Sequence, residues 1–372
     1  DFDRWVAATG NERWSWDALL PFFIGMESFS GGADAVHGAD GPLPVLLPGP
    51  DLVSPLTQDY IAGWESLGVP RIPDHSGGEM LGTTPNSLTI RGGERVTVAD
   101  AYLDPAVDRS NLSVLTGVLV HRLAIRDGRV TGAVVSVDGQ TMTIAADTVI
   151  LAAGSIADPL LLMRSGVGDP DVLAAAGVAT TTESRGVGKN LHDHLLGAGN
   201  LYRSARPVPP TRLNLSESMS YQSASDLTAR SGPADIVVGC VVAPSHSESF
   251  TVDVQPGGAY SLLFGVTNPT SRGELRISGP VIEDAPIIDP NYLDTEHDRE
   301  LFRVALERAR MVGGSDALAE WRDEELLPGP GVSTEADLDA FIAAAAITHH
   351  HPVSTLRMGA DDAAPVTPDL AF

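Results

Sequence analysis

Apolar residues recur at helical spacing in three parts of the chain and run together or alternate in others. Between Leu52 and Leu67, the residues Val53, Leu56, Tyr60, Ile61 and Trp64 share one side of a predicted helix. Thr295–Val312 places Leu301, Val304, Ala305, Ala309 and Val312 on one face, with Thr295 and Asp298 resembling a capping box. Ser333–Ile347 does the same with Leu338, Phe341, Ile342 and Ala345. Val118–Arg126, Val130–Val137 and Thr141–Ala145 read as strands separated by Asp127-Gly128 and Asp138-Gly139. Asp-Gly favours the two-residue hairpin turn, so the segment is predicted to be a β-meander. The apolar run Thr148–Ala153 is expected to be a strand buried on both faces, as in a parallel sheet. A turn at Gly154-Ser155 and a helix over Pro159–Arg164 follow it. Asp235–Val242 and Tyr260–Val266 are further apolar strands, whereas Gly82–Arg95 and Gly186–Ala205 read as loops.

Composition narrows the function classes. The chain has 372 residues and 43% hydrophobic content, enough for a sizeable core and more than one domain. Its net charge of −25 repels phosphate backbones and anionic headgroups, which argues against nucleic acid or a lipid surface as partner. No apolar run approaches the ~18–20 residues that span a bilayer. No basic stretch followed by an apolar core opens the chain. The single cysteine, Cys240, lies in an apolar run with no cationic neighbour, so an inert buried thiol is expected. Together these features suggest a cytoplasmic protein.

Two motifs carry candidate chemistry. The run Thr348-His349-His350-His351-Pro352 offers imidazoles, whose reference pKa of about 6.5 suits proton transfer at neutral pH. Adjacent side chains point in different directions, so no metal site is expected there. In Leu191-His192-Asp193-His194, Asp193 either orients a neighbouring histidine or hydrogen-bonds a buried loop, and the structural reading is preferred. The strand–Gly154-Ser155–helix unit is either an ordinary packing unit or a close-approach site for a ligand at a strand end. A Gly-x-Ser-x-Gly elbow, a phosphate loop and a dinucleotide fingerprint are all missing.

In order along the chain, these pieces resemble the glucose–methanol–choline (GMC) oxidoreductases. The resemblance rests on Asp1-Phe-Asp-Arg-Trp5, Trp14-Ser-Trp-Asp-Ala-Leu-Leu-Pro-Phe-Phe23, His37-Gly38, Gly41-Pro42-Leu43 and Arg95-Val-Thr97. It continues through Ala101-Tyr-Leu103, Gly154–Gly168, Gly186-Val-Gly188, Asn190-Leu191 and Asp193-His194. Asn268-Pro269, Asn291-Tyr-Leu293, His351-Pro352-Val353 and Arg357-Met-Gly359 complete it. Asp158 departs from the family, where serine or threonine is usual.

The resemblance implies an α/β fold in which a Rossmann-like FAD-binding domain adjoins an α+β substrate domain with an antiparallel sheet. Its segments would be 1–195 for the FAD-binding region, 196–267 for the substrate domain and 268–372 for the C-terminal region. It implies FAD as cofactor and oxidation of a small-molecule alcohol, with O2 or a quinone as electron acceptor. His351 would be the catalytic base. His350, Val120 and, less directly, Ala153 and Gly154 would lie beside the FAD. His349 falls outside the matched motif and is assigned to the end of the preceding helix. The family's first Gly-x-Gly-x-x-Gly unit and its last catalytic segment have no counterpart here. The chain therefore reads as truncated at both ends, expected by itself to hold FAD poorly and to be inactive. A hydroxynitrile lyase-like member or an inert binding module are the alternatives.

Overall fold

The computed structural model describes residues 2–372, so Asp1 of the first resembling segment lies outside it. The core is built on an antiparallel sheet. From one edge its strands are Arg322–Leu327, Leu195–Ser204, Ala259–Val266, Ile236–Val241, Ser216–Gln222 and Gly82–Pro85. A short strand, Ala346–Thr348, pairs with the first residues of Leu195–Ser204, while Arg322–Leu327 pairs with its later residues. The register of Leu195–Ser204 shifts between Gly197 and Asn200, a bulge that turns the strand and lets two partners share one edge.

The helix Glu296–Gly313 lays Leu301, Phe302, Ala305, Leu306, Ala309 and Val312 against the sheet residues Tyr260, Leu262 and Phe264. Pro55–Ser66 adds Leu56, Tyr60, Ile61 and Trp64 to the same core. Both helices start as the sequence dictates. Ser54 accepts from Thr57 N ahead of Pro55 at the first helical position, and Thr295 accepts from Asp298 N. The capping box is not reciprocal. Asp298 instead accepts from the backbone N–H groups of Thr270 and Ser271, tying the helix start to a neighbouring loop. A second core joins Leu123 of the meander to Leu160, Leu162 and Met163 of the helix Gly154–Arg164 and to Leu275 and Ile277.

The meander forms as predicted, with strands Val118–Arg126, Arg129–Val137 and Gln140–Ala145. Asp127 and Asp138 take φ of 50° and 49°, each followed by a glycine with positive φ, as a hairpin turn of this type requires. Three expectations fail. Thr148–Ala153 forms no strand, and Ile150 is 86% exposed. An apolar run becomes a buried strand only where neighbours supply a ladder, and among the described residues none pairs with it. Gly82–Pro85 and Leu195–Ser204, read as loop, are buried strands. Both faces of each are covered, so neither shows the polar–apolar alternation that betrays a half-exposed strand.

His37 of the His37-Gly38 motif is buried, stacked on Phe29 at a centroid separation of 4.0 Å and paired with Glu27 through Nδ1 at 3.0 Å. Burial opposes its charge, but Glu27, Asp74 and Asp34 raise its pKa.

Gly188 of the Gly-Val-Gly segment has φ +78°, and an added Cβ would lie 2.3 Å from the Leu275 carbonyl oxygen and 2.4 Å from Met163 Cε. Gly188→Ala combines that overlap with a backbone conformation costing an L-residue on the order of 1–3 kcal/mol. It is expected to lower unfolding free energy by roughly 2–4 kcal/mol. Equilibrium urea unfolding measures this, and a change below about 0.5 kcal/mol, the size of an ordinary surface substitution, would show that the local packing is described wrongly.

Candidate active site

The pairing of Ala346–Thr348 with Leu195 onward sets two histidine-bearing segments side by side. Leu195 lies opposite Thr348, His349 N donates to the His194 carbonyl at 2.9 Å, and His192 and Val353 exchange backbone bonds. The rings of His349 and His351, two residues apart, meet with centroids 4.3 Å apart. His350 between them has φ +61° and is exposed. His194 reaches across, its Nδ1 3.2 Å from His351 Nδ1. The premise that neighbouring rings diverge holds for His350 but not for the alternating pair. His349 also follows a strand rather than ending the helix Glu335–Ala345, because Ala346 leaves the helix in an extended conformation.

Asp193, buried at 4% exposure, is the hub of this group. One carboxylate oxygen accepts from His351 N at 2.9 Å. The other accepts from Tyr292 OH at 2.7 Å and from the Thr348 hydroxyl. Thr348 Oγ1 in turn accepts from His350 N at 2.9 Å. Burial and the bond to Asp193 push the Tyr292 phenol up to about 12, so it stays a donor. Burial and then the neighbouring His194 hold His351 below the usual imidazole value, with Asp193 opposing the shift. His349 is lowered to about 4, mainly by burial and then by His351 and His194. At neutral pH His349 and His351 are therefore neutral and able to accept a proton. The sequence favours a structural role for Asp193 over one that orients a histidine, and it assigns no role to Tyr292 and Thr348, although both lie in the motifs quoted above.

The remaining candidates lie along the route from this cluster to the helix Gly154–Arg164. Thr355, four residues after His351, donates its hydroxyl to the Ser155 carbonyl, and Gly188 N donates to the Thr355 carbonyl at 2.9 Å. The helix packs on Val118–Arg126, with Leu123 N donating to Ser165 Oγ at 2.8 Å. Gly154 has φ +92° and open space where a side chain would stand, and the helix it begins has no side-chain N-cap. Ala153 and Gly154 are exposed, and Val120 is 37% exposed. Asp158 Oδ1 accepts from Ala153 N at 2.9 Å at this helix start, and the exposed small residues Ala153 and Gly154 leave room for a bulky group such as FAD.

Among the described residues no helix is long and apolar enough to cross a membrane. Family models for GMC oxidoreductase match residues 1–196 and 269–371. Pyridoxine 4-oxidase of Microbacterium luteolum is 52% identical over 371 residues, covering 100% of this chain and 72% of its own. Oxygen-dependent choline dehydrogenase of Vibrio vulnificus (strain YJ016) is 30% identical over 381 residues, covering 97% and 68%. The crystal structure of pyridoxine 4-oxidase from Mesorbium loti superposes with a TM-score of 0.94 at 53% identity, covering 97% of this chain and 71% of that one. These relatives are named as oxidases and dehydrogenases, and nothing in them supports a lyase or an inert module. The chain belongs to the GMC oxidoreductases and is an FAD-dependent enzyme that oxidises a CH–OH donor.

Proposed function

We propose that the donor is a pyridinyl methanol of the pyridoxine type, that O2 is the electron acceptor, and that His351 is the base. The half-identical relative named pyridoxine 4-oxidase supports the donor and acceptor. The observation that carries the base is His351 itself: a neutral imidazole, fixed through its backbone by a buried carboxylate and exposed on its ring side. His351 takes the hydroxyl proton as the C–H bond breaks, and the imidazolium so formed holds the developing alkoxide. His194, at Nδ1, orients the ring and leaves Nε2 to face the alcohol. FAD held beside this site would supply the hydride acceptor and the route for two electrons to O2.

In this proposal the backbone at His350 adjoins the flavin, and Val120, Ala153 and Gly154 line the adenosine side. The segments 1–195, 196–267 and 268–372 serve as FAD-binding, substrate and C-terminal regions. The reaction is placed in the cytoplasm, supported by Cys240 being a free buried thiol that needs no oxidising compartment. The test is oxygen uptake and peroxide release by the FAD-loaded enzyme with pyridoxine and with choline. Pyridoxine is expected to be oxidised at least tenfold more efficiently, and the reverse preference would overturn the substrate reading.

The lowered pKa of His351 predicts where activity fails. Protonation removes the base, so kcat/KM is expected to fall tenfold per pH unit once the pH drops below the His351 pKa. Because burial and His194 depress that pKa, the bend lies below about 6.5. A pH profile from 5 to 9 measures it, and a bend above 7 would contradict the environment described.

A further inference from the structure

We infer that His194, His349 and His351 form a binding site for a borderline divalent transition ion of the Zn2+ type, whose occupancy disables proton abstraction by His351. The inference rests on the reading of His351 as base but goes beyond it. One ring nitrogen from each histidine can be chosen so that all lie within 4.8 Å of one another. The His194 Nδ1–His351 Nδ1 separation of 3.2 Å matches the spacing of about 3.3 Å between nitrogens bonded at ~2.0–2.1 Å to one tetrahedral ion. The third ring, His349, packs with its centroid 4.3 Å from that of His351.

The frame holding these rings is rigid. The His349 N to His194 carbonyl bond fixes one segment to the other, and Asp193 fixes the backbone of His351. Three imidazoles with no carboxylate or thiolate among them suit zinc, copper or nickel rather than magnesium or calcium. Three protein ligands leave a fourth position open, as in exchangeable rather than closed structural sites. His194 and His351 are exposed, so the position is accessible. An ion bound at His351 Nδ1 keeps the ring proton on Nε2, the nitrogen that would otherwise accept the hydroxyl proton. Metal and proton abstraction therefore exclude each other, and no covalent or redox step is involved.

The test is equilibrium dialysis of the FAD-loaded enzyme against Zn2+ with metal quantification, alongside alcohol oxidation at each zinc concentration. One equivalent is expected to bind and to inhibit by lowering kcat rather than by raising KM for the alcohol. His194→Gln, His349→Gln and His351→Gln are each expected to weaken zinc binding at least tenfold. His297→Gln, an exposed histidine at the start of a helix elsewhere, should leave binding unchanged. Zinc retained equally by all four variants, or no equivalent bound by the parent, overturns the site. If His351→Gln abolishes oxidation while zinc binding is unaltered, the base stands and the metal site falls. If zinc binding is lost but oxidation persists, the site stands and the base falls.

Discussion

Replacing His351 by alanine is expected to slow flavin reduction by roughly 10²–10⁴-fold, the span of a general-base contribution. That corresponds to ~3–5 kcal/mol of barrier. The substitution removes the only atoms of residue 351 able to take a proton, while its backbone N–H can still reach Asp193. The loss should therefore fall on the chemical step, with FAD retained and the fold intact. Anaerobic stopped-flow reduction of the FAD-loaded enzyme with pyridoxine reads the rate, and the visible flavin spectrum reads occupancy. Reduction at the parent's rate would mean that another group takes the proton. The neighbouring rings make that a real contest, since His194 and His349 both lie in contact with His351. What favours His351 among them is its tie to the buried carboxylate through its own backbone.

Elements whose signal is local were legible in the sequence. The helices Pro55–Ser66, Glu296–Gly313 and Glu335–Ala345 carry an apolar stripe and a Ser or Thr cap, and they fold within a few residues of the expected bounds. The meander was legible because Asp-Gly pairs mark its turns. Elements whose state depends on distant partners were not. Leu195–Ser204 contains two glycines and an asparagine, yet it is a central strand because Ala259–Val266 lies on one side and two other strands share the opposite edge. Thr148–Ala153 has the composition of a strand but no ladder partner among the described residues. At the site, the motif located His351 and the Asp193-His194 pair separately. Their union is a property of sheet register, which joins residues 158 positions apart. Tyr292 joins the site through its hydroxyl's bond to Asp193, a contact 99 positions apart in the chain.

Asp193→Ala is the second large effect, and it separates positioning from proton transfer. The substitution removes one acceptor from His351 N and another from both Tyr292 OH and the Thr348 hydroxyl. A buried donor left without an acceptor costs about 1–3 kcal/mol, and part of this is offset where water can enter beside the exposed His350 and His351. A net destabilisation of roughly 2–4 kcal/mol is expected from urea unfolding of the FAD-loaded enzyme. The rate should fall as well, because the segment carrying His350 and His351 loses its anchor, and a misplacement of ~1 Å can cost about 10²-fold. Since Asp193 touches neither alcohol nor flavin in this reading, kcat should drop with little change in KM for pyridoxine. Asp193→Asn discriminates the two roles. Its Oδ1 can still accept from His351 N, and its amide can donate to hydroxyls that are free to rotate. The asparagine variant should therefore recover most of the kcat lost by alanine while remaining less stable than the parent. If alanine and asparagine lose activity equally, or if alanine lowers kcat less than threefold, Asp193 does not hold the base in place.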